Sequence, residues 1–185
     1  RQMCIRDRNG TIHSILWYMA RAEMKIVSIR NVHLTSSGRL ETSSSKEGIE
    51  VIYSDEGKEK KLYYFAYDLS NSNLSSNSRL FDFLESFGKH TVLVKSASYL
   101  MHNSSFSIIR EYLMNTSHLV VQDPSGIPYR KLVAAGCSVD LHGTYTRPIS
   151  LFSGYSQSSL KEAIKSAPDL PFMIGYMAPY GECSL

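Results

Sequence analysis

Residues 90–130 constrain the fold of this chain more than any other stretch. Thr91-Val92-Leu93-Val94 is a compact apolar run, and His118-Leu119-Val120-Val121-Gln122 is another. Between them, Phe106, Ile109, Tyr112 and Leu113 form an apolar face at helical spacing, on a helix beginning near Ser105. Two short apolar strands joined by a helix predict parallel pairing through a right-handed crossover. The second strand opens into Gln122-Asp123-Pro124-Ser125-Gly126-Ile127-Pro128-Tyr129. The C-terminal end of a parallel strand is where α/β proteins place ligands. The stretch therefore locates a candidate site, without naming a reaction.

The remaining patterns agree with that class. Ile12, Ile15, Leu16, Met19 and Ala22 predict a helix over Thr11–Glu23, and the alternation from Met24 to His33 predicts a strand. Gly48–Ser54 and Lys60–Asp68 flank Asp55-Glu56-Gly57, which predicts a hairpin. The Ser- and Asn-rich residues 70–78 predict a surface loop. Ser78 is the expected cap of a helix from Arg79 to Phe87 that stops at Gly88. Beyond the Asp123 turn, Pro128–Val133 and Ser138–Tyr145 are expected strands separated by Ala135-Gly136. Ser159-Leu160-Lys161-Glu162 matches a capping box opening a helix to Ser166, and Pro171–Met177 is an expected last strand. The expected fold is α/β: a mixed β-sheet containing a parallel β-α-β crossover, with helices packed on its faces.

A length of 185 residues suits one domain able to bury a core, and 43% hydrophobic with 20% charged residues are globular values. Residues 9–185 are read as a single α/β domain truncated at its N-terminus. Arg1-Gln2-Met3-Cys4-Ile5-Arg6-Asp7-Arg8 resembles translated sequencing adapter, so residues 1–8 are read as non-native. Those residues hold three Arg and one Asp. Without them the 20 basic and 17 acidic residues become 17 and 16, and the net charge falls from +3 to +1. So weak a surplus gives no reason to expect nucleic acid as a partner. No apolar run is long enough to cross a bilayer. Cys137 and Cys183 are compatible with one disulfide or with two thiols.

Three groups of residues near the expected sheet edge carry chemistry. Asp123, followed by Pro124, Ser125 and Gly126, would serve as a general base or as the acceptor of a substrate hydroxyl. The same four residues also make an ordinary β-turn in which Asp bonds backbone amides. Ser96 and Ser98 follow the first parallel strand and would line one edge with Asp123 and Ser125, or else cap the next segment. Tyr145 and Arg147 share a strand face by period two and would hold a carboxylate or phosphate, or else a surface ion pair and an edge-packed ring. Asp123, Ser98 and Ser125 are the candidate catalytic residues; Tyr145, Arg147 and Ser96 are the candidate ligand-binding ones.

Other chemistries lack their residues. The six His occur in no His-Glu-x-x-His or His-x-His spacing, so neither a metal nor a cofactor is expected. His102 and His118 are expected at the two ends of the residue-105 helix. Ser158-x-x-Lys161 matches the triplet of penicillin-binding enzymes without its companion motifs, and no Gly-x-Ser-x-Gly elbow or phosphate-binding Gly-rich loop is present. Tyr63-Tyr64-Phe65-Ala66-Tyr67 is expected to pack across strands rather than stack bases.

Four fragments together resemble a family of uncharacterised bacterial proteins, often exported or lipoprotein-like. They are residues 95–102, the Gln122–Tyr129 turn, Gly143-Thr144-Tyr145 with Pro148-Ile149 and Leu151-Phe152, and Leu170-Pro171-Phe172 with Gly175-Tyr176. The resemblance covers Gly10 to Tyr176. Within it, Pro124 stands where the family carries a second acidic residue. It implies a periplasmic or envelope-associated place and brings no established activity. The expected function is a non-catalytic binding or structural domain of a bacterial envelope protein, taking a small-molecule or protein ligand. The alternative is a hydrolase or transferase with its site around Asp123.

Overall fold

The computed structural model describes residues 2–44, 47–148, 150–169 and 183–184, with the backbone alone for residues 2–10, 97 and 183–184. The expected strand at 171–177 lies outside the described residues. The chain divides into two compact units, Arg1–Asp68 with Asn77–Ser86, and Leu69–Ser76 with Phe87–Leu185. Helices, antiparallel strands and a parallel strand pair make the chain α/β, as its sequence predicts. The two kinds of pairing occupy separate sheets.

In the first unit, helix α1 (Gln2–Arg21) leads into strand β1 (Lys25–Leu34), followed by β2 (Leu40–Thr42), β3 (Gly48–Asp55) and β4 (Lys58–Phe65). They form an antiparallel sheet in the order β2-β1-β3-β4. The predicted hairpin is present: Asp55 pairs with Lys58, and the two-residue turn Glu56-Gly57 has φ of 50° and 77°. Two successive positive φ values match the right-handed twist of the flanking strands. Strand period two then sorts the side chains. Ile49 and Val51 are buried with Met19 of α1, against Ile12, Ile15 and Leu16.

The opposite face of β3 carries Glu50, which is 1% exposed. Its cross-strand neighbours are Arg30 and Tyr63. The half-exposed Arg30 guanidinium forms an ion pair with the buried Glu50 carboxylate at 2.7 Å. Burial first, and then the Glu50 charge, push the Tyr63 hydroxyl up to about 12. Helix α2 (Asn71–Leu74), which belongs to the second unit, stands in the expected Ser/Asn loop, and α3 (Arg79–Glu85) follows it. Phe83 of α3 lies edge-on to both Tyr63 and Phe65, at 5.3 Å each, so the aromatic run of β4 is used for packing. Arg79 fastens α3 to the sheet by donating from Nε to the Tyr67 hydroxyl and from Nη1 to the Leu34 carbonyl, both at 3.1 Å. Ser78 does not cap this helix: its backbone is already helical, and its hydroxyl donates to Asp82 Oδ2 at 2.9 Å instead.

The second unit holds β5 (Thr91–Val94), α4 (Ser107–Thr116) and β6 (Leu119–Gln122). The strands pair in parallel from Thr91↔Leu119 to Val94↔Gln122. Val94 and Gln122 are buried, whereas Leu93 and Leu119 on the other face are 74% and 52% exposed. The apolar runs are therefore buried on one side only. After β6 the expected strand Pro128–Val133 is a helix, α5 (Tyr129–Ala134). Arg130, Lys131, Leu132 and Ala134 are good helix formers, and the Pro128 carbonyl accepts from the amides of Lys131 and Leu132. Gly136, at φ 74°, closes the helix as its C′ residue, with Cys137 N–H reaching back to the Leu132 carbonyl.

The expected strand Ser138–Tyr145 shrinks to β7 (His142–Gly143), paired with β8 (Cys183–Ser184). The Gly143 amide also bonds the Pro168 carbonyl, at 2.7 Å. Alternating apolar residues do not make a strand without a ladder of partners. Helix α6 (Ser158–Ala163) begins one residue before the expected cap Ser159, after Gln157, so the capping box is not formed. Leu160, Ile164 and Tyr145 form a buried cluster. Among the described residues no helix is long and apolar enough to cross a membrane.

Phe83 is 4% exposed between two rings. Phe83→Ala is expected to lower stability by about 3–5 kcal/mol, read as a fall in the urea midpoint at unchanged slope.

Candidate functional site

Gln122, the last residue of β6, sets the geometry of the loop that follows. Its buried side chain turns forward, accepting from the Ile127 amide at 2.8 Å and donating to the Ile127 carbonyl at 2.7 Å. Two bonds to one residue act as a backbone-like clasp and close the loop 123–126. Gly126 lies against this clasp: a Cβ there would come within 2.6 Å of Gln122 Oε1. Gln157, 8% exposed, makes a second clasp. Its Nε2 donates to the Pro124 carbonyl at 3.0 Å, and its Oε1 accepts from the Tyr129 amide at 2.8 Å. Ser125, Gly126, Ile127 and Pro128 are all buried in consequence.

Asp123 enters this loop with both carboxylate oxygens occupied. Oδ1 accepts from the Ser125 amide at 2.9 Å and from the Ser125 hydroxyl, while Oδ2 pairs with the Lys95 ammonium. The Asp123 carbonyl accepts from Gly126 N–H at 3.0 Å, completing the turn. Ser125 Oγ in turn accepts from the Ser96 amide at 3.0 Å. Three of the expected site residues, Ser96, Asp123 and Ser125, therefore converge, joined through Lys95 at the ends of the two parallel strands. The other three stand apart from that network. Ser98 is exposed and has no hydrogen bond to Asp123 among the described residues. It and Tyr99 both adopt left-handed backbone, with φ of 57° and 55°. Tyr145 does not sit on a strand face beside Arg147. It is 5% exposed in the Leu160 cluster, where its hydroxyl accepts from the Gln157 amide at 3.1 Å. Arg147 is exposed.

Among the described residues, the Asp123 carboxylate is bonded by Ser125 and paired with Lys95. The Ser125 hydroxyl donates to a carboxylate that also accepts from the Ser125 amide and pairs with the Lys95 ammonium, the bonding of an Asp turn. The His102 imidazole is committed to the same loop: Nε2 lies 3.1 Å from the Pro124 carbonyl. A carbonyl only accepts, so Nε2 carries the proton. His102 is flanked edge-on by Tyr99 and Tyr155, at 5.2 and 5.5 Å, and those two rings stack with 2° between their planes. Desolvation lowers the His102 pKa, and the charges of Arg110 and Arg130 lower it further, against the raising effect of the Pro124 bond. An open cleft is lined by Asp140, Leu141, His142, Ser166, Ala167 and Pro168, none of them an expected site residue. Among the described residues, no three His, Cys, Asp or Glu side chains gather as a metal centre would require.

Sequence reasoning missed Lys95, His102, Gln122, Gln157 and Arg110. Arg110 was within reach. It lies four residues after Phe106 and three before Leu113, so it falls on the apolar face of α4, and it is 6% exposed. The glutamines gave no signal, because their partners are backbone groups. Comparison with protein-family models, with curated proteins and with solved structures returned no match.

Gln122→Leu keeps the volume and strands the Ile127 amide and carbonyl, so a loss of about 3 kcal/mol is expected in chemical denaturation. His102 holds its proton less tightly folded than unfolded. Its contribution is therefore complete above the unfolded value near 6.5 and is lost as pH falls through and below it. A thermal-melt series run from well above to well below the unfolded value is expected to show this acid loss, and His102→Gln to flatten it.

Proposed function

We propose that this chain is a non-catalytic binding domain of an envelope-associated protein. Its recognition edge is the pair of loops that follow β5 and β6, and its ligand is a small molecule or a segment of another protein. The observation that carries this reading is the occupied Asp123 carboxylate. A general base needs a lone pair aimed at the substrate, and three of the roughly four acceptor sites of the Asp123 carboxylate are used, two on Oδ1 by Ser125 and one on Oδ2 by Lys95. The buried, doubly clasped loop is a rigid platform, and rigidity lowers the entropic penalty of binding. The aromatic rings of Tyr99, Phe152 and Tyr155 beside it provide contact area. The family resemblance of residues 95–102 and 122–129 supports the envelope placement.

The competing reading, a hydrolase or transferase at the same edge, is tested by Asp123→Asn. Incubation with chromogenic esters, phosphoesters and glycosides is expected to give equal background rates for both proteins. The substitution is expected to lower stability by about 1 kcal/mol through weakened turn bonds. Turnover by the unmodified chain that falls a hundredfold or more in the variant (about the loss typical of a missing base) would replace binding with catalysis.

A further inference from the structure

Arg110 is a buried cation whose charge no carboxylate answers among the described residues. Nη1 donates to the carbonyls of Met101 and Asn103, at 2.8 and 3.3 Å, gripping the chain on either side of His102. Nε is sealed from solvent without a partner. Nη2 has no partner among the described residues either, and unlike Nε it is not sealed. Two carbonyl dipoles do not neutralise a guanidinium, and a buried charge is normally paired. The region adds a second cation. The Pro124 carbonyl joins His102 to Gln157, Gln157 Oε1 holds the Tyr129 amide at the start of α5, and the charge of Arg130 acts on the imidazole. Arg130, the next residue, is exposed and has no ion pair among the described residues.

We infer that Arg110, Arg130 and His102 form a binding site for an oxyanion, the carboxylate or phosphate group of a small ligand. Arg110 Nη2 supplies a planar donor held in place by the Met101 and Asn103 carbonyls, and Arg130 closes over the anion from the surface. His102 donates through Nδ1 once protonated, because Nε2 is already used on Pro124. The groups around the imidazole are Arg110 from α4, Arg130 from α5, and the rings of Tyr99 and Tyr155; the adjacent Asp123 is held by Lys95. Burial first, and then the charges of Arg110 and Arg130, favour the neutral form of His102 while the site is empty. An anion reverses that preference, so binding and protonation of His102 reinforce each other and affinity rises as pH falls. This inference rests on the binding-domain reading and names the ligand chemistry of the same edge.

The test is an NMR titration of the His102 imidazole with inorganic phosphate, and separately with acetate, against sodium chloride at matched ionic strength. The expected result is a saturable shift with phosphate or acetate that chloride does not reproduce, together with a raised His102 titration midpoint. Arg130→Ala, an exposed substitution, is expected to weaken binding about tenfold, the equivalent of one charge-assisted hydrogen bond. Arg110→Lys, checked for fold by circular dichroism, should weaken it more by removing the planar fork. A response equal to that of chloride, or one unchanged by Arg130→Ala, overturns the site. Absent anion binding without turnover leaves the binding-domain reading intact, whereas ester turnover that depends on Asp123 overturns that reading itself.

Discussion

Amides and carbonyls buried in a loop must find partners, and the segment 122–129 finds them in two glutamine side chains. Gln122 supplies both bonds that Ile127 needs, and Gln157 joins the Pro124 carbonyl to the Tyr129 amide. Without them, a loop carrying fully buried Ile127 would expose its apolar side chain or strand its backbone. Much of the second unit is positioned by this closure. Pro128 is delivered as the residue before α5, Tyr145 is pinned to the Gln157 amide, and His102 is brought to the Pro124 carbonyl.

Charge is arranged unevenly around that loop. The Asp123 carboxylate is answered by Lys95 and by Ser125, and it orders the turn. Arg110, which donates to the Met101 and Asn103 carbonyls, is answered among the described residues by carbonyls alone. The left-handed backbone at Ser98 and Tyr99 belongs to the same neighbourhood, and it sets the Tyr99 ring against Tyr155. Non-glycine residues hold such conformations only where the surroundings over-determine them.

The elements legible in the sequence are those whose signal is local. The Glu56-Gly57 hairpin is written in turn residues between β-branched runs, and α4 in the spacing of Ile109 and Leu113. Parallel pairing of β5 with β6 followed from two apolar runs separated by a helix. The failures lie where a local pattern had two solutions. Residues 129–134 carry both strand-like and helical character, and the Pro128 carbonyl and Gly136 decided for helix. Ser138–Tyr145 alternates as a strand should, yet the Gly143 amide is taken by Pro168, and among the described residues only His142 and Gly143 pair in a ladder. Ser78 and Ser159 have cap-like neighbours and do not cap.

By itself, the sequence determined the α/β class, the hairpin and the place of the Asp123 turn at the end of a parallel strand, because propensity, period and turn chemistry act between near neighbours. Tertiary structure alone decided which polar groups meet. Ser96 joins Asp123 and Ser125, whereas Tyr145 goes to the core, and Arg110 is buried facing carbonyls contributed by residues seven and nine positions earlier. Hydrogen bonds and ion pairs are short-ranged in space and indifferent to separation along the chain. Their partners are therefore chosen by packing, and one sequence read along its length does not contain that choice in visible form.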